Sequence, residues 1–277
     1  MNAKLRKIRH LALDMDGTIY KGSTLFDFTK DFLRSAREMG ISYTFLTNNP
    51  SKSMVDYLAK LKDLGIEAEA SQLYTSTQCT IEYLLENYPT AKRIFPLGTP
   101  SMCEEFKKAG YEICEDSHLD EPDVVIVAFD MTLSFERLGR AGWWIKKGKP
   151  FIATNPDYVC PTDQPTMWVD CGSLCACLQA ATGRAPDAIL GKPHPNMLRG
   201  ILQRHSLHPS ELAMVGDRTY TDMAMAQCAG AVGVLVLTGE TTAEEAAVYS
   251  PKPDFILPSI KELGQKLAEA KQQLAPV

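Results

Sequence analysis

The chain has 277 residues, of which 45% are hydrophobic and 23% charged. That length allows about two domains with well-buried cores, and the composition is that of a soluble globular protein, so a disulfide-stapled miniprotein, a disordered chain and a fibrous repeat are excluded. The 29 Lys and Arg residues against 34 Asp and Glu residues leave a net charge of -5, which argues against a nucleic-acid polymer as a partner.

Short apolar segments alternate with amphipathic helices along the chain, a pattern typical of parallel α/β proteins. In the outer parts of the chain the predicted strands cover residues 8–13, 42–46, 212–215, 232–237 and 254–257. The predicted helices there cover residues 25–39, 52–64 and 260–274, and a glycine follows each of the first two as a helix terminator. The pattern predicts a doubly wound parallel-sheet, Rossmann-like core.

The middle of the chain repeats the same alternation. Its predicted strands cover residues 93–97, 123–129 and 150–154, and its predicted helices cover residues 100–109, 134–147 and about 172 to 183. A loop rich in Gly and Pro, residues 191–195, marks the return to the outer segments. We therefore predict an inserted α/β domain of residues 80–185 within a core formed by residues 1–79 and 186–277.

Polar side chains follow several predicted core strands at the point where each strand ends. Because ligands of a parallel α/β sheet bind beyond the carboxyl ends of its strands, we expect these side chains to converge. They are Asp14 and Asp16 after the first strand, Thr47 and Asn48 after the second, and Asp217 and Asp222 after the strand at 212–215. Lys192 lies on a separate Gly-Lys-Pro loop.

This set of side chains suits a phosphoryl group held together with a hard metal ion. Mg²⁺ prefers oxygen ligands and typically takes one or two protein carboxylates, which Asp14 and Asp217 are placed to supply. The Thr47 hydroxyl and the amides after it are candidate ligands of phosphate oxygens, and Lys192 adds a compact positive charge. The sequence therefore predicts Mg²⁺ as a cofactor and a phosphorylated substrate.

Two aspartates separated by one residue allow a division of labour in the cleavage of a phosphate ester. Attack by a carboxylate on a phosphate is opposed by the repulsion of like charges, which a metal ion and a lysine offset. Asp14 is the candidate nucleophile and would form a covalent aspartyl-phosphate. Asp16 is the candidate acid that protonates the leaving alkoxide and the base that later activates water.

At these residues the sequence resembles the haloacid dehalogenase-like hydrolase superfamily, whose motifs occur here in their usual order. The motifs are Asp-Met-Asp-Gly-Thr at 14–18, Thr-Asn at 47–48, Lys192, and Gly-Asp-Arg at 216–218 with Asp222. The resemblance implies that Asp14 is the nucleophile and Asp16 the acid/base. It also implies that Thr47, Asn48 and Lys192 bind the transferring phosphate.

The resemblance further implies a metal site and a substrate class. Mg²⁺ would bind to Asp14, to the backbone carbonyl of Asp16 and to Asp217, and Asp222 would support these ligands. Thr-Asn-Asn at 47–49, Ala-Thr-Asn-Pro-Asp at 153–157, and Gly-Lys-Pro at 191–193 narrow the match to the NagD-like branch, in which residues 80–185 would be a C2-type cap domain. Members of that branch are mostly phosphatases of small metabolites, such as sugar phosphates and nucleoside monophosphates, and the resemblance permits a homo-oligomer.

Other functions stay open at this point. A phosphomutase or other phosphotransferase would keep Asp14 and Asp16 but pass the phosphoryl group to an acceptor other than water. A non-catalytic protein that binds a phosphorylated ligand would be stabilised by that ligand and release no phosphate, although the complete set of carboxylates argues against this alternative. Each motif alone is more typical of a turn, a helix cap or a surface charge than of a catalytic site, and only their shared order favours catalysis.

Features elsewhere in the chain indicate packing and location. Cys171, Cys175 and Cys177 are close in sequence, but no nearby Cys or His completes a tetrahedral zinc site, so packing is favoured. The apolar runs are much shorter than the roughly 20 residues needed to span a bilayer, so no membrane partner is expected. Without a secretory signal, we expect reduced cysteines and a cytoplasmic protein.

Overall fold

The computed structural model describes residues 2–161 and 166–272. By their internal contacts the residues fall into two compact units. The first unit comprises Met1–Leu46, Lys60–Tyr74 and Lys192–Val277, and the second comprises Thr47–Ala59 and Thr75–Gly191. Residues 47–59, 75–79 and 186–191, which the sequence places in the core, therefore have their contacts mainly in the second unit.

A parallel sheet forms the centre of the first unit. The strand His10–Asp14 is buried along its whole length and pairs in parallel with a neighbour on each side. A continuous apolar run is what a strand covered on both faces requires. Among the described residues the strand order is Phe255–Leu257, Val232–Val236, Leu212–Gly216, His10–Asp14, Ser42–Thr47 and Leu73–Thr75. Because the chain order runs outward in both directions from His10–Asp14, the predicted doubly wound topology is confirmed.

Helices flank this sheet. Asn2–Lys7 and Thr29–Glu38 both pack against Ile260–Gln272, whereas Asn196–Arg204 packs against Ala224–Ala229. Ala243–Val248 follows Thr242, whose hydroxyl accepts a hydrogen bond from the backbone of Glu245. The last helix buries Leu263 and Leu267, which share a face at the predicted spacing. The predicted last residues of that helix, 273 and 274, lie outside the described residues.

The helix predicted over residues 25–39 begins later, at Thr29. Tyr20–Lys21 and Thr24–Leu25 pair as short antiparallel strands, and the Phe26 N–H donates to the Ile19 carbonyl. The backbone groups that would start the helix are therefore used by a hairpin. Such short strands carry too little alternation for the sequence to reveal them.

A second parallel sheet forms the centre of the second unit. The strand Val124–Val127 is fully buried, and Trp144, Cys171 and Leu178 pack in the core around it. Among the described residues the strand order is Ala188–Ile189, Phe151–Ala153, Val124–Val127, Arg93–Leu97 and Glu112–Ile113. The α/β pattern predicted for the middle of the chain is confirmed. An antiparallel pair, Val159–Pro161 with Met167–Val169, lies outside this sheet and was not predicted.

Helices of the second unit begin at side chains that accept a hydrogen bond from the first helical turn, as helix N-termini require. Thr75, Thr99, Ser134 and Asp170 are these side chains, and they precede Ser76–Asn87, Pro100–Lys108, Phe135–Lys146 and Cys171–Thr182. The helix predicted over residues 52–64 is Met54–Asp63, which spans the boundary between the units. Among the helices of the described residues, none offers an apolar stretch that would span a bilayer.

Candidate active site

Asp14 ends the central strand of the first unit. Leu13 lies opposite Val215 in one neighbouring strand, and Asp14 lies opposite Leu46 in the other. This register brings Asp14 level with Gly216, so that Asp217 follows at the same edge of the sheet. The Asp14 side chain is buried, with only 8% of the residue exposed. The carboxyl end of the strand thus holds an acid group in a region of low dielectric constant.

Lys192 lies between two buried carboxylates. Its ammonium group donates to Asp14 Oδ1 and, at 2.7 Å, to Asp222 Oδ1. Burial alone would lower the pKa of Lys192, but the charges of Asp14 and Asp222 outweigh burial and raise this pKa above its usual value. Lys192 is therefore a fixed positive charge at this edge of the sheet.

Asp222 is carried by a π-helical turn, Thr219–Met223, that follows the strand Leu212–Gly216. The Arg218 N–H donates to Asp222 Oδ2 at 3.2 Å. Gly216 approaches the same side chain so closely that a Cβ at this position would lie 2.6 Å from the Asp222 Cβ. Burial is the largest cause that raises the pKa of Asp222 to about 6, with Lys192 opposing the rise and Asp14 adding to it.

Asp217 has one carboxylate oxygen with a donor and one without. The Glu240 N–H donates to Oδ2 at 2.7 Å, whereas the buried Oδ1 has no hydrogen-bond partner among the described residues. Burial, followed by the charges of Asp14 and Asp222, raises the pKa of Asp217 to about 7. A buried carboxylate oxygen without a donor is costly, so this geometry favours a cation beside Oδ1.

The three carboxylates together fit a divalent cation. Asp14, Asp217 and Asp222 offer oxygens that all lie within 4.8 Å of one another. The Lys192 ammonium donates to Asp14 and Asp222, whereas Asp217 Oδ1 has no hydrogen-bond partner within the part of the chain that the structure describes. Carboxylate oxygens are the ligands that Mg²⁺ and Ca²⁺ prefer. The cluster therefore carries an excess of negative charge and an oxygen available for a metal ion.

Asp16 does not belong to this carboxylate cluster. Its side chain is exposed, and Oδ1 accepts a hydrogen bond from the Gly22 N–H at 3.4 Å. Gly17 follows with a φ of 85°, a conformation that favours glycine, and turns the chain out of the strand. An exposed carboxyl group can exchange protons with substrate and water. The acid/base role of Asp16 and the binding of a metal by its carbonyl stay predictions.

Thr47 and Asn48 belong to the second unit. Thr47 Oγ1 accepts from the Asn49 N–H at 3.2 Å, and the Asn48 side-chain amide donates to Asp157 Oδ2 at 2.9 Å. The Asp157 oxygen also accepts from the Asn155 amide at 2.9 Å. These bonds hold Asn155 and Asp157 in a local network, and the binding of phosphate by Thr47 and Asn48 stays a prediction.

Residues 238–241 contact Asp217, although the sequence does not single them out. Besides the bond from Glu240, the Thr241 N–H donates to the Asp217 carbonyl at 3.2 Å. These residues follow the buried strand Val232–Val236, which pairs with Leu212–Gly216. Polar residues after a parallel strand are the signal that would have located them. Their contacts use backbone amides, which side-chain identity does not reveal.

Cys171 and Cys175 pack in the interior of the second unit. Both are buried, with their Sγ atoms 3.9 Å apart, whereas Cys177 is exposed. Within residues 2–161 and 166–272, the group of side chains able to hold a metal ion comprises aspartates and includes no cysteine.

Family models and a curated relative match the chain. A model described as haloacid dehalogenase-like hydrolase matches residues 11–112, and a model described as HAD-hydrolase-like matches residues 189–263. An acid sugar phosphatase from Staphylococcus aureus is 30% identical over 268 residues, which cover 97% of this chain and 100% of the relative. The matches include every position of the predicted motifs.

Solved structures match over almost the whole chain. A 4-nitrophenylphosphatase from Thermotoga maritima has a TM-score of 0.89 and 39% identity, covering 95% of this chain and 98% of that chain. NagD from E. coli K-12 has a TM-score of 0.82 and 29% identity, and the match covers 92% of this chain and 98% of that chain. A glycerol phosphate phosphatase from Mycobacterium tuberculosis, in complex with magnesium, has a TM-score of 0.85 and 28% identity. This match covers 98% of this chain and 80% of that chain. The same enzyme is also known in complex with calcium.

Proposed function

The chain belongs to the haloacid dehalogenase-like hydrolases, in their NagD-like branch, and we propose that it is a Mg²⁺-dependent phosphatase of small phosphorylated metabolites. Relatives named acid sugar phosphatase, glycerol phosphate phosphatase and 4-nitrophenylphosphatase support this substrate class. A relative in complex with magnesium and the aspartate cluster of this chain support the metal. The homo-oligomer that the family resemblance permits stays a prediction.

The buried cluster of Asp14, Lys192 and Asp217 is the observation that carries this proposal. An ammonium group contacts the candidate nucleophile, and a carboxylate oxygen of Asp217 has no donor within residues 2–161 and 166–272. This arrangement offers positive charge where a phosphate dianion must approach a carboxylate. A protein that only binds a phosphorylated ligand has no need to keep a carboxylate in contact with that positive charge.

The proposed reaction proceeds through two displacements at phosphorus. In the first, an Asp14 carboxylate oxygen forms a bond to phosphorus, the bond to the leaving alkoxide breaks, and Asp16 donates a proton to that alkoxide. In the second, Asp16 accepts a proton from water as the water oxygen attacks the aspartyl-phosphate. Inorganic phosphate leaves, and the Asp14 carboxylate is restored.

The other groups would lower the barrier by offsetting charge. Lys192 would neutralise negative charge on Asp14 and on the phosphoryl oxygens. Mg²⁺, when bound by the carboxylates of Asp14 and Asp217 and the Asp16 carbonyl, would supply further neutralisation of the phosphoryl group. Thr47 and Asn48 are proposed as phosphate ligands on the resemblance of their motif to that of the family.

A panel of phosphorylated metabolites, assayed for phosphate release with Mg²⁺ and with EDTA, tests this function. We expect release from at least one small sugar phosphate, glycerol phosphate or nucleoside monophosphate, and loss of release in EDTA. In water enriched in ¹⁸O, a phosphatase places the label in inorganic phosphate. Transfer of unlabelled phosphoryl groups to a sugar would instead identify a phosphomutase, and ligand binding without any transfer would identify a non-catalytic protein.

A further inference from the structure

The segment of residues 238–241, here called the 238–241 loop, packs its backbone directly on the Asp217 carboxylate. A Cβ added to Gly239 would lie 2.7 Å from the Asp217 Cβ and closer still to its Oδ2, separations that real Cβ atoms essentially never show. Gly239 is not among the glycines with a left-handed φ. The glycine is therefore required by the approach of the carboxylate and not by backbone conformation.

Gly17 also lies close to the same carboxylate. A Cβ on Gly17 would lie 2.5 Å from Asp217 Oδ2. Oδ2 is thus approached closely by two glycines, and the Glu240 N–H donates to it at 2.7 Å. With Oδ2 fixed in this way, the rotation of the Asp217 carboxylate is fixed as well, and Oδ1 is the oxygen left without a donor among the described residues.

Hydrogen bonds on both sides of Gly239 hold the 238–241 loop in place. Thr238 Oγ1 donates to the Gly17 carbonyl at 2.5 Å, which joins the loop to the backbone beside Asp16. The Thr241 N–H donates to the Asp217 carbonyl at 3.2 Å. The loop therefore contacts the two backbone segments that carry Asp16 and Asp217.

The Glu240 side chain adds an anchor on the outer side of the loop. Its Oε2 accepts from Arg218 Nε at 2.9 Å, and its Oε1 accepts from the Tyr220 hydroxyl at 2.6 Å. The Glu240 backbone N–H is the donor to Asp217, so this anchor holds the donor at its position. Loss of the Glu240 carboxylate would release the donor without changing any carboxylate of the cluster.

We propose that the 238–241 loop is a positioning element that fixes the orientation of Asp217 and thereby sets both the affinity and the selectivity of the site for a small divalent cation. The inference rests on the proposed metal-dependent function. Mg²⁺ demands near-ideal octahedral geometry at short distances, whereas Ca²⁺ accepts irregular sites with more ligands. A rigidly held carboxylate favours the binding of Mg²⁺. A mobile carboxylate should lower the affinity for Mg²⁺ more than the affinity for Ca²⁺.

Gly239→Ala tests this inference, with Gly139→Ala as the matched control, because a Cβ at Gly139 meets nothing within 4 Å. Affinities for Mg²⁺ and for Ca²⁺ are measured from the cation dependence of the melting temperature, without substrate. We expect Gly239→Ala to weaken Mg²⁺ binding by about tenfold or more, as the loss of groups that orient metal ligands typically does. The affinity for Ca²⁺ should fall less. Unchanged affinity for Mg²⁺ in folded Gly239→Ala protein would overturn the inference.

A second set of variants keeps the inference testable if Gly239→Ala does not fold. Glu240→Ala removes the outer anchor and should weaken Mg²⁺ binding more than Ca²⁺ binding. Glu240→Gln retains an acceptor oxygen and should recover most of the lost affinity. Glu244→Ala, at an exposed position in the helix that follows, makes the same change of charge and should behave as the wild type. Equal affinities in all three variants would contradict the positioning role.

The wild-type titration separates this inference from the proposed function. If Mg²⁺ leaves the melting temperature of the wild type unchanged up to millimolar concentrations, both the metal site and the role of the loop are wrong. If the wild type binds Mg²⁺ and the loop variants bind it equally well with the same preference over Ca²⁺, only the role of the loop is wrong. Weaker and less selective binding in the variants supports both.

Discussion

Acid should destabilise the first unit through His10, the residue at which the strand leading to Asp14 begins. His10 is 1% exposed, and its ring nitrogens lie 2.6 Å from Ser42 Oγ and 2.9 Å from Thr44 Oγ1. Its ring centroid is 4.2 Å from that of His205. Burial, followed by the charge of His205, lowers the pKa of His10 from 6.5 to about 3.

The sign and size of the effect follow from this depressed pKa. The unfolded chain takes up a proton at His10 below pH 6.5, whereas the folded chain does so only near pH 3. The stability contributed by neutral His10 is therefore complete above pH 6.5 and is lost as the pH falls toward 3. One pKa unit corresponds to about 1.4 kcal/mol. Protonation of His10 in the unfolded chain should therefore lower the free energy of unfolding by about 2 kcal/mol when the pH reaches 5.

Urea unfolding of the wild type and of His10→Gln at pH 7.5, 6 and 5 measures this contribution. The stability of the wild type relative to His10→Gln should fall by about 2 kcal/mol between pH 7.5 and 5. His118→Gln is the control, because it makes the same substitution at a histidine whose side chain is exposed. A difference in unfolding free energy between the wild type and His10→Gln that does not change with pH would refute the effect of burial on His10.

Further predictions concern the site itself. Asp16→Asn should slow hydrolysis less for 4-nitrophenyl phosphate than for a sugar phosphate, because nitrophenolate leaves without a proton, and equal losses would contradict an acid role. Mg²⁺ at one hundred times its dissociation constant should stabilise the wild type by about 2.7 kcal/mol, and calorimetry should show this gain abolished in Asp217→Asn. Lys192→Met leaves Asp14 and Asp222 without their ammonium partner and should lower the free energy of unfolding, measured with urea at pH 8, by about 3 kcal/mol. A decrease below about 1 kcal/mol would argue against the buried pairing.

The sequence was sufficient to predict that the side chains of Asp14, Lys192, Asp217 and Asp222 meet in the first unit. Asp14 and Asp217 follow buried apolar strands, and parallel strands bring their carboxyl ends to one edge of a sheet. Lys192 was identified by its Gly-Lys-Pro loop, and the structure places its ammonium group against Asp14 and Asp222. Burial patterns and motif order carry this information because both depend on side-chain identity.

Features set by backbone contacts could not be predicted in this way. The hairpin of Tyr20–Lys21 and Thr24–Leu25 is too short to alternate, so the helix at Thr29 was predicted to begin too early. The 238–241 loop acts through amide groups and through the missing Cβ of Gly239. The donors that surround Asp217 are therefore visible only once the strands are aligned in three dimensions.

Trapping of the covalent intermediate tests the role of Asp14 as the nucleophile. A single turnover of substrate is quenched in acid, which preserves an acyl phosphate, and peptides are mapped by mass spectrometry. We expect phosphate on Asp14 in the wild type, and neither this adduct nor phosphate release in Asp14→Asn. Undiminished phosphate release by Asp14→Asn, or rapid turnover by the wild type with no phosphate found on Asp14, would contradict the nucleophilic role.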